Sequence, residues 1–326
     1  MIRKLSLTIF VSSVVLFSLL FAPSLSLATT NEDSNWIDLT TKNSIVNGKK
    51  VENQKAKDSS TDGPTNLQKI AKENGLEVEA SYESYITYDE DGKQTSSGVI
   101  TSKSQKNSLE KKAANIVYLA YTFLGGKVNK VLHGVEVTKV VGTPPATLEV
   151  QQTLCQSGYY NKQFTCPHVI KKTFLGLQIK KGAEVHQFIK VDKTKFWKYS
   201  GWGIATWAGK PPSIKTLKWD EGLYLTNKKG MFFPNYTDKQ SGLNLQAPPN
   251  AFIKKVPKEK RVKWGNKERT TYRNWYEKKY GGKTWVKFEI HHQLPREYGG
   301  GNMTKNLIPV EKSFHRQEIN PWWASY

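Results

Sequence analysis

The chain has 326 residues, a length typical of about two or three domains, and its 37% hydrophobic residues exclude a wholly disordered protein. It carries 49 Lys and Arg against 28 Asp and Glu, a formal net charge of +21. This surplus indicates a polyanionic partner, namely nucleic acid, an anionic membrane or a cell-wall polymer, but it does not select among them.

The N-terminus is typical of a secretory signal peptide of residues 1–28. Arg3 and Lys4 precede an uncharged, mostly apolar stretch at 5–21, and a small-x-small cleavage site, Ser-Leu-Ala, ends the segment. An uncleaved membrane anchor is the alternative, since the apolar stretch nearly reaches spanning length. We expect cleavage, a secreted extracellular protein and no transmembrane segment after cleavage.

Two segments of different character follow. Residues 29–63 are polar and are predicted to be a leader or linker. Residues 64–107 are predicted to be a small helix-plus-hairpin segment. Its helix covers 64–75, and its hairpin joins 79–88 to 99–101 through an Asp-Glu-Asp-Gly turn.

Residues 108–242 are predicted to be a helix followed by a β-rich module. The helix is placed at 108–124 because Ala113–Leu124 is apolar almost all round yet too short to span a membrane, which is typical of a buried helix. Short β-rich segments separated by Gly- and Pro-rich turns then predict an all-β sandwich or barrel. The predicted strands are 135–141, 147–154, 169–179, 185–191 and 203–207.

The β-rich module contains both cysteines and a group of tryptophans. Cys155 and Cys166 are eleven residues apart and are predicted to form a structural disulfide, which suits an exported protein. A metal site is the weaker alternative, because two thiols lack convincing partners. The tryptophans are expected in the core, with stacking on sugars or unpaired bases as the alternative. They are Trp197, Trp202, Trp207 and Trp219.

The basic surplus lies in the C-terminal two-thirds of the chain. Residues 29–110 carry 10 basic and 14 acidic side chains, whereas residues 111–326 carry 37 and 14. Residues 243–253 are predicted to be a linker, and residues 254–326 a basic C-terminal domain with a helix at 269–280. Four basic side chains are expected to contact nucleic-acid phosphates; the alternative is that they are ordinary solvent-exposed residues of an amphipathic helix. They are Arg261, Lys263, Arg269 and Arg273.

The C-terminal part of the chain contains a distinctive arrangement of His, Pro, Gly and Asn residues. A short strand is predicted to end at His291-His292, with a Pro three residues beyond and a Gly-Gly-Gly loop after it. A second strand begins at Asn306, and a helix carries His315. This combination resembles the HNH (ββα-metal, His-Me finger) nuclease motif of colicin-type DNases and bacterial toxin nucleases. The resemblance covers only the last quarter of the chain.

The residue types suit phosphodiester hydrolysis. Histidine can accept a proton from water near neutral pH, and adjacent residues on a strand point to opposite sides. The resemblance implies that His291 and His315 are metal ligands and that His292 is the general base. It also implies that Asn306 holds the base across the ββ turn and that Glu289 orients the motif.

The motif departs from the colicin type in its ligand set. The colicin-type motif has a further His four residues after the helix His, and Ile319 occupies that place here. Glu318 is the candidate additional ligand; the alternatives are Asn320 or a water molecule in this position. The resemblance implies one divalent metal ion, which is Mg²⁺, Mn²⁺ or Zn²⁺.

The expected fold class is therefore multidomain α+β: a signal peptide, a small N-terminal α/β segment, an all-β sandwich- or barrel-like middle module and a C-terminal ββα-metal domain. The expected function is a secreted metal-dependent endonuclease acting on DNA, with RNA as the alternative substrate, as an antibacterial toxin or an extracellular nuclease. A toxin would require a small acidic immunity protein as partner. The alternatives are a cationic cell-surface or nucleic-acid-binding protein with an inactive HNH-like domain, and a structural zinc site.

Overall fold

The structure is a computed structural model that describes residues 45–46, 49–50, 64–100, 102–209 and 221–326. The predicted signal peptide and most of the predicted leader lie outside the described residues. The described part is mixed α+β, with a mostly β middle region and helices towards the C-terminus. It belongs to one unit of the chain, Trp36–Tyr326.

The elements are as follows. The strands are β1 (Ile45–Val46), β2 (Lys49–Lys50), β3 (Leu76–Tyr88), β4 (Gln94–Val99), β5 (Asn115–Gly126), β6 (Lys130–Val141), β7 (Thr147–Ser157), β8 (Thr165–Leu175), β9 (Glu184–Lys190), β10 (Lys195–Thr206), β11 (Glu221–Thr226), β12 (Phe288–His292) and β13 (Leu307–Glu311). The helices are α1 (Asn66–Glu73), α2 (Lys103–Lys112), α3 (Asn266–Tyr280), α4 (Lys312–Phe314) and α5 (Asn320–Ala324). A π-helical turn, His315–Ile319, lies between α4 and α5.

Two antiparallel sheets form a β-sandwich. One sheet has the order β4-β3-β5-β6-β9, and the other has the order β11-β10-β7-β8. Their inward residues share one hydrophobic core, in which Leu119 and Phe123 of β5 meet Val150 of β7 and Trp197 of β10. The sheets pack closely at Gly201, where an added Cβ would lie 2.2 Å from the Tyr121 ring, so only glycine fits there.

The first helix is specified at both of its ends. Thr65 and Gln68 form a capping box, and the buried carboxylate of Glu136 accepts hydrogen bonds from the first two amides of the helix at 2.9 Å. Gly75, with a φ of +72°, follows the helix and leads into β3. Helix α1 therefore lies within the predicted segment 64–75.

The predicted helix at 108–124 is wrong over most of its length. Helix α2 ends at Lys112, and Asn115–Gly126 is the central strand β5, paired with β3 and β6 and buried at every position. A strand whose two faces are both covered has a continuous apolar sequence that resembles a buried helix. The β-branched and aromatic side chains of this stretch favour the strand.

The boundaries of the β-rich module also differ from the prediction. The hairpin of β3 and β4 is present, but β3 pairs with β5 along its whole length, so the hairpin belongs to the sandwich. Trp197 is buried as expected, whereas Trp202 is partly exposed. The predicted disulfide is confirmed: Cys155 on β7 and Cys166 on β8 are bonded across the two strands. Trp219 lies outside the described residues.

The predicted linker at 243–253 is packed into a second hydrophobic core. Leu245 and Ala247 are buried there with Phe196 of β10, Leu225 of β11 and Trp322 of α5. The sandwich and the C-terminal residues therefore share buried surface, because neither covers this core alone. Within the part of the chain that the structure describes, no helix combines the length and apolar character needed to cross a membrane.

Candidate functional site

The last 40 residues adopt a strand–strand–helix order, which we call the ββα unit (residues 288–324). Strands β12 and β13 are antiparallel, and His292 lies opposite Leu307. The helical part that follows carries His315 as the first residue of the π-helical turn. Such turns are frequent at functional sites because they re-aim a side chain.

His291 and His315 face each other across the unit. Nδ1 of His291 and Nε2 of His315 are 3.0 Å apart. On its other side, His315 Nδ1 lies 2.6 Å from a carboxylate oxygen of Glu289, and the second oxygen of Glu289 accepts hydrogen bonds from Arg316. The carboxylate fixes the orientation of the His315 ring and leaves Nε2 aimed at His291.

The electrostatics around His291 favour its neutral imidazole. Burial holds the pKa of His291 well below its usual range, and positive charge on His315 or His292 would lower it further. Burial works to raise the pKa of Glu289, but hydrogen bonds from Arg316 and His315 outweigh it, so the net shift is downwards. An ionised Glu289 beside a neutral His291 is the state in which imidazole nitrogens can bind a cation.

These residues fit a divalent cation with two protein ligands. Two nitrogens that bind one cation at about 2.1 Å lie about 3.0–3.4 Å from each other. The observed His291–His315 separation of 3.0 Å is at the short end of this span, and it is also the length of a direct hydrogen bond between the two rings. Glu318 is exposed and has no bond to either histidine in the described structure. Across the described ranges, no group of three or more His, Cys, Asp or Glu is arranged to hold a metal.

His292 points away from this pair and has its own partners. Its Nε2 lies 2.9 Å from Oδ1 of Asn302, whose amide nitrogen donates to the main-chain oxygen of Lys263. Because Asn302 must present its oxygen to the ring, His292 Nε2 carries the proton and Nδ1 keeps its lone pair. Trp264 packs edge-on against the ring at 4.4 Å between centroids.

His292 is also shifted towards its neutral form. Burial is the main cause that lowers its pKa, the hydrogen bond that it donates to Asn302 works to raise it, and the nearby positive charge of Arg296 lowers it. A buried, neutral imidazole with one free nitrogen can accept a proton from water at neutral pH.

Asn306 closes the turn between the two strands. Its Oδ1 accepts a hydrogen bond from the Leu294 amide at 2.8 Å, and its Nδ2 donates to the oxygens of Leu294 and Gly301. Gly300 lies inside this turn, where a Cβ would be 1.7 Å from the Leu294 oxygen. Asn306 thus holds the turn, whereas the side chain that contacts His292 directly is Asn302.

Several of the predicted phosphate-contacting residues lie near His292. Arg269 stacks over Trp264 at 5.7 Å, and Lys263 is exposed beside it. Arg261 donates to the main-chain oxygen of Val256. Arg273 lies over Trp285 instead, at 5.3 Å, and the structure does not bring it to His292.

Sequence reasoning missed three residues of this site, namely Trp264, Arg296 and Asn302. Arg296 has a buried Nε without a hydrogen-bond partner, and no carboxylate pairs with it in the described part of the chain. A sequence signal existed for Asn302, because two asparagines lie four residues apart after the glycine loop, but nothing local distinguishes their roles.

No family model matches this chain, and no curated protein or solved structure is significantly similar to it.

Proposed function

We propose that the protein is a metal-dependent endonuclease that hydrolyses phosphodiester bonds, with DNA as the preferred substrate. The observation that carries the proposal is the pairing of two separate histidine arrangements on one ββα unit. His291, His315 and Glu289 offer two nitrogens to a cation, and His292 offers a free Nδ1 fixed by Asn302. A structural zinc site would leave the second arrangement without a purpose.

The chain's own residues have distinct roles in the proposed reaction. Nδ1 of His292 takes the proton of the attacking water, while Asn302 holds the Nε2–H tautomer throughout. Asn306 keeps the turn that positions both strands. A divalent ion bound between His291 and His315 would neutralise charge on the phosphate and on the leaving oxygen.

Binding of the nucleic acid is assigned to the basic residues next to His292. Arg296 is the principal candidate, since an unpaired guanidinium can bind phosphate through two parallel hydrogen bonds. Lys263 and Arg269 would contact flanking phosphates. The surface is rich in positive charge, with 17 basic and 7 acidic residues over 245–326, which supports a polyanionic substrate.

The test is digestion of plasmid DNA and of RNA by the full chain with Mg²⁺, Mn²⁺ or Zn²⁺. The full chain is required because Leu245 and Trp322 share a core with the sandwich. We expect cleavage that a chelator abolishes and that His292→Ala lowers by about 10²–10⁴-fold. The matched control is His186→Ala, which removes a histidine of β9 paired with Glu184.

Equal cleavage by the parent and by His292→Ala would contradict the role of His292. Salt-sensitive DNA binding without turnover under any of these ions would support the alternative, a cationic binding protein. We further propose that the protein acts outside the cytoplasm, as an extracellular nuclease or a toxin with an acidic immunity partner. The Cys155–Cys166 disulfide supports an oxidising compartment.

A further inference from the structure

The connection from β8 of one sheet to β9 of the other forms an exposed apolar tip. The tip (residues 174–179) connects β8 towards β9, and its two leucines are among the most exposed large apolar side chains described. Leu177 is 92% exposed and Leu175 is 56% exposed. Between them, Gly176 has a φ of +44° and open space around it, so the chain turns sharply and presents both leucines to solvent.

The tip is held in place from below. Phe174 and Ile179, which flank the leucines, are each only 3% exposed and belong to the sandwich core. The Gly176 amide donates to Ala146 at 2.8 Å, and the Ile179 amide donates back to Gly176 at 2.9 Å. The leucines therefore project from a fixed support, and their exposure is a property of the folded tip.

Lysines surround the tip on both sides. They are Lys171, Lys172, Lys180 and Lys181, and the stretch 171–181 contains no acidic residue. Glu149 pairs with Lys171 at 3.1 Å, whereas Lys172 donates to the main-chain oxygen of Glu184 and lies over the Phe174 ring. The two exposed leucines of the tip are therefore flanked by lysines that give this region a net positive charge.

We propose that this tip docks the protein on the surface of an anionic phospholipid membrane. The two leucines would enter the boundary between headgroups and acyl chains, and the lysines would contact headgroup phosphates. A soluble polyanion such as DNA offers nothing to leucine side chains, since their gain comes from leaving water. The combination therefore favours a lipid surface over nucleic acid as the partner of this part of the chain.

The position of the tip agrees with such a role. The opposite end of the β7–β8 hairpin contacts the C-terminal part of the chain, where Tyr159 pairs with Asn250 and the Ala251 amide donates to Gly158. The eleven residues of β8 separate these two ends by about 35 Å. A docked tip would leave the candidate nuclease residues free, so the two activities are separable by mutation.

The experiment is sedimentation of the full chain with vesicles. One set contains equal parts phosphatidylglycerol and phosphatidylethanolamine, and the other contains phosphatidylcholine alone. We expect binding to the anionic vesicles only, and weakening as NaCl is raised from about 0.1 to about 1 M. Leu175→Ser with Leu177→Ser should weaken partitioning by more than about tenfold. Lys180→Gln with Lys181→Gln should weaken it by about thirty-fold.

Matched controls use exposed residues elsewhere. Val286→Ser removes an apolar side chain that is 73% exposed, and Lys111→Gln with Lys112→Gln removes two exposed lysines of α2. Both should bind vesicles like the parent, and all variants should keep the parent's melting temperature. No binding to anionic vesicles would overturn the proposal. Lysine-dependent binding that the leucine variant retains in full would overturn it too, since it would identify a purely electrostatic surface for polyanions.

Discussion

Replacing Asn306 should destabilise the protein by an amount that its hydrogen bonds define. The side chain is 6% exposed and bonds to three main-chain groups, two of them at 2.8 Å and the third at 3.2 Å. Each such bond contributes about 1 kcal/mol net, and a buried group that loses its partner costs about 1–3 kcal/mol. Asn306→Ala should therefore lower the free energy of unfolding by about 3 kcal/mol.

Asn306→Asp makes the prediction sharper, because it has nearly the same shape. The carboxylate still accepts from the Leu294 amide, but it faces the oxygens of Leu294 and Gly301 without a proton to donate. At neutral pH the loss should again be about 3 kcal/mol. In acid the carboxyl group gains a proton and can donate one bond. Because the two main-chain oxygens disfavour the carboxylate, the pKa of this group is raised in the folded protein, so the gap to the parent should narrow as the pH falls from 7 towards about 4.

The assay is urea denaturation followed by tryptophan fluorescence, between pH 7 and pH 4. Asn302→Ala is the matched control, since Asn302 is more exposed and bonds to one main-chain oxygen and to His292. It should cost about 1 kcal/mol and should reduce DNA cleavage by about 10²-fold. A loss below about 1 kcal/mol for Asn306→Ala, or a pH-independent gap for Asn306→Asp, would refute the reasoning.

Three further predictions follow from other parts of the molecule. Arg296→Ala should lower the second-order rate constant of DNA cleavage by about 10²-fold at an unchanged melting temperature, and Arg296→Lys should give an intermediate rate constant. Equal rates of plasmid digestion by the parent and by Arg296→Ala would contradict this. Serine at both Cys155 and Cys166 should lower the free energy of unfolding by up to about 3 kcal/mol, and the parent treated with reductant in urea should match that variant. Burial lowers the pKa of His133 from 6.5 to about 4. Between about pH 4 and pH 6.5, His133 is therefore protonated in the unfolded chain but not in the folded chain. The free energy of unfolding should fall by about 3 kcal/mol as the pH is lowered from 6.5 to 4. His133→Gln should remove this contribution and so make the slope shallower, leaving the contributions of His291 and His292; an unchanged slope in acid denaturation would contradict the assignment.

Local patterns of the sequence were sufficient for much of the fold. Thr65 and Gly75 bound helix α1, and the turn of Asp89 to Gly92 joins a hairpin, because caps and tight turns depend on a few neighbouring residues. The eleven-residue spacing of Cys155 and Cys166 was compatible with a cross-strand disulfide. The order strand, glycine loop, strand and helix around His291 and His315 was also readable, since each step of it is local.

Other features depended on residues that are distant in the sequence. Asn115–Gly126 is a strand because two sheet neighbours and an opposing sheet cover both of its faces, which no window of that segment contains. Leu245 is buried because Phe196 and Trp322 meet it. In each case the sequence shows that the segment is apolar, but it does not show which distant residues pack against it.

The sequence by itself determined the chemistry available to this protein: an excess of positive charge, two cysteines at a sequence spacing that allows a disulfide, and three histidines in the last 36 residues. Only the tertiary structure decided how that chemistry is arranged. It set Asn302 rather than Asn306 against His292, because the ring's partner depends on where the chain near Lys263 passes. It also placed Leu175 and Leu177 in solvent, because alternation along β8 and a turn at Gly176 bury Phe174 and Ile179 instead.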